Sequence, residues 1–301
     1  MRQAMLSNRP QLGNNVMTVH EVLNESTKAL ETAEMPSARL DAEVLLAYVL
    51  GCDRLTFFKN PEMTLDEQQL AGYRDLIARR LRWEPVAYIT GRKAFWTFSL
   101  AVDKDVLIPR PDTEIIVEET LDICRKLDSD EIEILEIGTG SGAIALALAR
   151  EVSKSKITAT DISADALMLA RKNACSLKLE SKIDFLEGDL FAPVEGLFDI
   201  IVCNPPYISE EDYAQLPAGV KDYEPRIALW AGKNGLEFYE KLIDRSPGYL
   251  KKNGWLLLEI GATGTSCSRA FGRIGMVRPH CHAKGLRGIA AGSKIKEKVS
   301  G

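Results

Sequence analysis

Ile132-Glu133-Ile134-Leu135-Glu136-Ile137-Gly138-Thr139-Gly140-Ser141-Gly142-Ala143-Ile144-Ala145-Leu146-Ala147-Leu148-Ala149-Arg150 changes character twice. The apolar start, over 132–137, reads as a buried strand. Three alternate glycines then permit a tight turn and let a ligand approach the backbone closely. Ala143 to Arg150 reads as a helix opened by that turn. Strand, glycine turn and helix in this order imply a parallel sheet with helical crossovers. Ligands of such sheets sit beyond the carboxyl ends of the strands. The spacing is Gly-x-Gly-x-Gly rather than the dinucleotide Gly-x-Gly-x-x-Gly, so the loop alone does not name its ligand.

Three further stretches fall at the ends of later strands. Lys156-Ile157-Thr158-Ala159-Thr160-Asp161 ends in an acid about twenty residues past the glycines, where nucleotide folds place a ribose-binding carboxylate. The competing role for Asp161 is a helix N-cap. Ile183 to Glu187 gives another strand, followed by Gly188-Asp189-Leu190, where Asp189 is placed to reach an adenine amino group and Leu190 to pack on its ring. Phe198-Asp199-Ile200-Ile201-Val202-Cys203 runs into Asn204-Pro205-Pro206-Tyr207. The prolines fix φ and remove donors, which leaves carbonyls free to accept. An Asn oxygen and a backbone carbonyl hold a planar NH2 group, and the Tyr ring stacks on that plane. Taken alone, the ledge also reads as a proline turn after a strand. All these features lie within about seventy residues in chain order, and together they imply a nucleoside-bearing cofactor beside an NH2-holding ledge.

With these residues in place the chain resembles the class I S-adenosylmethionine-dependent methyltransferases, and within them the release factor glutamine N5-methyltransferases. Glu84-Pro85-Val86-Ala87-Tyr88-Ile89-Thr90-Gly91 with Phe95-Trp96 resembles that family's interdomain segment. Val106-Leu107-Ile108-Pro109-Arg110-Pro111-Asp112-Thr113-Glu114 resembles its signature before the catalytic domain, and Glu224-Pro225-Arg226 with Ala228, Leu229 and Gly232 the segment after the ledge. The resemblance implies a Rossmann-like α/β methyltransferase sheet with a small N-terminal helical bundle joined by a β-hairpin linker. It implies S-adenosyl-L-methionine as cofactor and peptide chain release factors as partners, methylated on the glutamine of a Gly-Gly-Gln tip. Glu136, Gly138, Thr139, Gly140, Ser141, Gly142, Asp161, Asp189, Leu190 and Asn204 are then the cofactor-binding candidates. Asn204, Pro205, Pro206 and Tyr207 are the catalytic ones. Glu136 has two roles open to it: to bond the loop amides, or to reach a cofactor amine through water. Arg110 is open to a structural salt bridge or a ligand contact.

The bulk numbers fit this reading. The chain has 301 residues, 46% hydrophobic, with a net charge of −5. It carries no apolar run long enough for a membrane span and no signal-peptide core. Six cysteines without a regular framework suggest buried thiols in a reducing cytoplasm. Two rival enzymes share the ledge. A DNA adenine N6-methyltransferase needs a basic face for a flipped base, which the acidic body lacks. A ribosomal-protein glutamine methyltransferase is disfavoured by Arg110-Pro111. A binding-only protein with a dead pocket is weakened because glycine loop, acid and ledge are all present.

The sequence divides into a disordered leader (1–16), a helical docking domain (17–85), a hairpin linker (86–110) and a catalytic domain (111–301). Thr18-Val19-His20-Glu21 reads as a cap and first turn, 38–50 as a second helix, and Thr64-Leu65-Asp66-Glu67 as a capping box before a helix over 67–82. Residues 86–106 alternate as a hairpin does. Strands are expected at 132–137, 157–161, 183–187, 199–203 and 254–260. The last segment is atypical. Residues 261–301 hold eight Lys/Arg against one acid, about +7, which leaves about −12 on the rest. The resemblance implies a final helix and two strands there, the last antiparallel, yet the expected acids and Val-rich strand are missing. A local reading-frame disturbance is the hypothesis, and resequencing that returns an unshifted frame would contradict it. Cys267, His280, Cys281 and His282 lack the paired spacing of a zinc site, and no metal is expected.

Overall fold

The computed structural model describes residues 17–260 and 274–277. The expected leader and most of the atypical segment, with its four Cys and His residues, lie outside them. The chain separates into two compact units, one ending at Thr90 and the other starting at Gly91.

The first unit is helical: α1 (Val19–Thr32), α2 (Ala38–Leu50), α3 (Leu55–Lys59), α4 (Glu67–Leu81) and α5 (Val86–Thr90). Thr18 opens α1 with a reciprocal capping box, Glu21 N donating to Thr18 Oγ1 at 3.2 Å and Thr18 N to Glu21 Oε2 at 2.9 Å. Such a cap is worth about 1 kcal/mol. Gly51 ends α2 in the left-handed region, φ 61°, which costs a residue without Cβ nothing. The cap of α4 differs from the expected one. Asp66 takes the role, in a box with Gln69, because Thr64 is drawn into an antiparallel bridge with Thr18. The core joins Val22, Leu23 and Leu30 of α1 to Leu45 and Leu46 of α2 and Tyr73 and Ile77 of α4. A buried ion pair, Arg80 Nε to Asp41 Oδ2 at 2.7 Å, ties α4 to α2.

The expected hairpin over 86–106 is shorter than its alternation suggests. Residues 86–90 form α5 instead, where Pro85 O accepts from Tyr88 N and Ile89 N, and Pro85 is pre-set for a helical start. The hairpin proper, β1 (Arg92–Phe95) and β2 (Phe98–Ala101), turns at Trp96, φ 54°.

The second unit continues with α6 (Glu114–Cys124), β3 (Ile132–Ile137), α7 (Ala143–Glu151), β4 (Ser155–Asp161), α8 (Ala164–Leu177), β5 (Ile183–Glu187), β6 (Phe198–Cys203), α9 (Glu210–Ala214), α10 (Ala218–Lys221), α11 (Glu237–Arg245), β7 (Leu250–Glu259) and β8 (Ile274–Val277). The six long-range strands form one parallel sheet in the order β5-β4-β3-β6-β7-β8. This is the Rossmann-like α/β sheet that the resemblance implies. β3 and β6 are covered on both faces, which is why they read as near-continuous apolar runs. β7 starts earlier than expected, with an irregularity where Phe198 pairs Leu250 but Ile200 pairs Trp255. β8 pairs in parallel with β7, Leu256 opposite Ile274. No antiparallel final strand lies among the described residues. The strand order reverses between β3 and β6, and the crevice at their carboxyl ends is where a ligand fits.

Candidate active site

The glycine loop leaves the end of β3. Gly138 N and Thr139 N donate to Thr160 O on β4, at 2.8 and 2.9 Å, so the loop is pinned to the neighbouring strand end. Gly138 and Gly140 have φ of 73° and 54°, and a Cβ at either would meet nothing within 4 Å. Their backbone therefore faces open space, which is the cradle expected for a ligand. Gly142 differs, because a Cβ there would stand 3.0 Å from Leu146 Cδ1.

Glu136 sits beneath this loop, 1% exposed. Its Oε2 accepts from Thr139 Oγ1 at 2.6 Å and from Ala145 N at 3.0 Å. Of its two possible roles, the described contacts are those that brace the loop. Burial pushes its carboxyl up to about 8, against the lowering effect of the Thr139 and Ala145 bonds. Ser141 is buried, and its carbonyl accepts from Asn173 Nδ2 at 2.9 Å. Asn173 also exchanges bonds with both backbone groups of Ala101 at the end of β2. Hairpin, α8 and glycine loop are thus one braced assembly.

Asp161 ends β4. Its Oδ2 accepts from Gly140 N at 2.8 Å and its Oδ1 from Ser163 N at 3.0 Å. The cap of α8 is Ser163, whose Oγ accepts from Ala166 N, so Asp161 is not that cap. Asp189 follows β5 and is exposed. Leu190 adopts φ 52° and is buried with Phe191 and Val194 in the core, so much of its side chain is committed there. Ile162, between Asp161 and Ser163, is 52% exposed. An apolar side chain left open at a strand end beside Asp161 is a candidate that the sequence reading passed over. Its signal was an Ile among turn residues.

The ledge follows β6, the strand beside β3, with Cys203 opposite Ile137. Asn204 is therefore the first residue beyond the sheet next to Gly138. Asn204 Nδ2 donates to Thr113 Oγ1 at 3.3 Å. Pro205 is buried, and Pro206 and Tyr207 are half-buried. Burial raises the Tyr207 phenol above its ordinary range, helped by the charge of Glu259 and opposed by Arg110. Behind the ledge, Ile208 N donates to Leu229 O and Ala231 N to Ile208 O, at 3.0 and 2.8 Å. Gly235 passes so close that a Cβ would stand 2.6 Å from Tyr207 O.

The segment before α6 is fixed by Glu224, whose Oε1 lies 2.5 Å from Arg110 Nη2 and whose Oε2 accepts from Ile108 N at 3.1 Å. Arg110 thus makes a salt bridge within the unit. Glu114 accepts from Trp96 N at 2.8 Å. Two residues beside the ledge were not singled out from the sequence: Thr113, and Glu259 at the carboxyl end of β7. An acid after the apolar run Leu256-Leu257-Leu258, near the end of its strand, resembles Glu136 near the end of β3, and that was the available signal.

The chain is similar in sequence to proteins already known. The family model described as the PrmC N-terminal domain matches residues 21–91, and the methyltransferase small domain matches 119–217. The release factor glutamine methyltransferase of Koribacter versatilis is 41% identical over 249 residues, 81% of this chain and 87% of that protein. The protein of the same name from Yersinia pestis is 42% identical over 78% of this chain and 84% of its own length. Among solved structures, a methyltransferase from Pyrococcus furiosus is similar at 26% identity and a TM-score of 0.37, covering 59% of this chain and 74% of that one. Identity at this level over most of both chains, with loop and ledge meeting at adjacent strand ends, shows that the chain belongs to the release factor glutamine methyltransferase family.

Proposed function

We propose that this chain methylates the side-chain amide nitrogen of the glutamine in the Gly-Gly-Gln tip of peptide chain release factors, with S-adenosyl-L-methionine as methyl donor. The carrying observation is the amide of Asn204. Its NH2 is engaged by Thr113, so its oxygen is turned away from that hydroxyl as an acceptor. The open face of Gly138 and Gly140, with Asp161 beside it, fits a nucleoside-bearing cofactor. Asp161 would hold the ribose hydroxyls, Asp189 the adenine amino group and Ile162 the ring face. The bound cofactor supplies a methyl group made electrophilic by its sulfonium.

A primary amide is a weak nucleophile because its lone pair is delocalised. Asn204 Oδ1 and the Pro205 or Pro206 carbonyl accept its two hydrogens. They favour the increasingly positive nitrogen of the transition state over the neutral amide, which is differential binding. The rigid ledge also fixes the line of attack. The Tyr207 ring supplies a face that tolerates positive charge. The proton leaves the nitrogen after attack, so no dedicated base is needed.

The helical unit is assigned to docking of the release factor. Tyr48, Leu55 and Phe58 leave apolar surface exposed on α2 and α3, Phe58 at 68%. Phe58→Ser should raise KM for the release factor several-fold and leave cofactor affinity unchanged. All four described cysteines are free thiols, which supports a reducing cytoplasm. Among the described residues no helix is long and apolar enough to cross a membrane.

Transfer of labelled methyl to purified release factor tests the proposal, beside a factor whose tip glutamine is replaced by alanine and a duplex DNA. Label on the native factor alone is expected. Label on the alanine factor or on DNA would overturn the reading.

A further inference from the structure

Asn173 lies on α8, 2% exposed. Its Oδ1 accepts from Ala101 N at 2.8 Å, and its Nδ2 donates to Ala101 O at 3.0 Å and to Ser141 O at 2.9 Å. A primary amide offers one oxygen as acceptor and two hydrogens as donors. A flipped Asn173 would set its nitrogen against an N–H and its oxygen against two carbonyls, so its orientation is fixed.

The register of the hairpin makes Ala101 available for this. Val102 N donates to Gly91 O at 3.2 Å, and Ala101 stands opposite Arg92. Bonded and non-bonded pairs alternate along an antiparallel ladder, so Ala101 turns both backbone groups away from β1. Asn173 pairs with that free edge as a neighbouring strand would. At its other end it holds Ser141 O, which belongs to the same peptide as Gly142 N, and that N–H donates to Thr139 O at 2.8 Å. The peptide plane is therefore set from both sides. Within this turn Gly140 presents the open face of the cradle, its N–H on Asp161. Thr160, Asp161 and Glu136 hold the loop to the sheet, whereas Asn173 ties it to the hairpin.

We infer that Asn173 is a positioning residue for the glycine loop, and that through it the hairpin sets cofactor affinity. The inference rests on the reading of the loop as a cofactor cradle, but the link between hairpin and loop is a property of the protein alone. Loss of the Ser141 bond frees the Ser141–Gly142 peptide, and Gly140 loses the orientation that fits the ligand. The coupling is reciprocal: a hairpin that favours cofactor binding is itself stabilised by bound cofactor.

The test is a cycle between Asn173→Ala and Ala101→Pro in the full chain. Proline at 101 removes the N–H that Asn173 accepts and leaves the Val102 ladder bond in place. The first readout needs no ligand. It is NMR hydrogen exchange of the Gly140 and Gly142 amides, measured relative to the β4 amides, which report global opening. Each single variant should speed the loop amides about 2- to 10-fold, the range for one neutral hydrogen bond. The double variant should be no faster than Asn173→Ala, because the two residues act as one unit. The second readout is the Kd for S-adenosylmethionine by isothermal titration, which should weaken in the same pattern and by the same range. In wild type the bound cofactor should also slow exchange of the Ala101 amide, and in Asn173→Ala it should not.

Asn173→Asp is the second variant, needed should proline not be tolerated. It keeps an acceptor for Ala101 N and sets oxygen against both carbonyls, so its loop amides should quicken as in Asn173→Ala. Loop amides that change only in step with the β4 amides would mark a merely structural role and overturn the inference. So would an effect of Ala101→Pro as large in Asn173→Ala as in wild type, because the hairpin would then act by another route. Wild type that binds no S-adenosylmethionine would strike the cofactor reading alone, since loop exchange still decides the link.

Discussion

Asp161 Oδ2 stands 2.8 Å from Gly140 N, so the acid at the end of β4 holds the glycine loop at the end of β3. The same carboxylate fixes the loop and, in the proposed function, receives the ribose. Asp161→Ala should therefore weaken cofactor binding by the 1.5–3 kcal/mol typical of a bond to a charged acceptor, about 10- to 150-fold in Kd. Isothermal titration with S-adenosylmethionine measures this directly. An unchanged Kd would remove Asp161 from the site.

Two glycines of the loop should respond differently. A Cβ at Gly140 meets open space, so Gly140→Ala costs only the left-handed backbone, about 1–2 kcal/mol, while its methyl intrudes on the ligand cradle. A Cβ at Gly142 meets Leu146 Cδ1 at 3.0 Å and Ala170 Cβ at 3.4 Å. Gly142→Ala adds overpacking of about 1–3 kcal/mol to the same backbone cost. Urea unfolding paired with cofactor titration separates them. Gly140→Ala should lose mainly affinity and Gly142→Ala mainly stability.

Arg80 and Asp41 are both nearly buried, and Ser37 Oγ also donates to Asp41. Removing one partner strands the other charge, so Arg80→Met should destabilise the helical unit by about 3–5 kcal/mol. Adding Asp41→Leu should recover most of that loss. Hydrogen exchange of the α2 and α4 amides reports both changes without requiring the two units to unfold together.

Glu136 makes stability depend on pH in an unusual direction. Its folded carboxyl is raised to about 8 from an ordinary 4.5. The folded protein therefore binds more protons than the unfolded chain between these values, and stability falls as pH rises. The contribution is fully present below about 4.5 and is lost as pH passes through about 8. Glu136→Gln should flatten the fall of Tm across this window. A slope equal to wild type would show that Glu136 is not its source.

The sheet is legible in the sequence because β3 and β6 are covered on both faces and their apolar runs end abruptly at Gly138 and Asn204. The helical unit is legible where caps are local, as at Thr18 and Glu21. Sequence reading errs where a distant contact decides, as when Thr18 draws Thr64 out of the capping role and leaves it to Asp66. It also errs at 86–90, where alternation resembles a strand but Pro85 starts a helical turn. The loop and ledge are legible because each is contiguous. The contact of Asn204 with Thr113 is not, because it joins two residues far apart in the chain that meet only at the end of the sheet.

The central claim is that the ledge performs the chemistry. Single-turnover methylation of release factor by Asn204→Ala, with cofactor saturating, tests it most directly. The account predicts a rate lowered by about 100-fold or more, as for loss of one transition-state hydrogen-bond partner, with S-adenosylmethionine affinity close to wild type. A wild-type single-turnover rate in Asn204→Ala would contradict it.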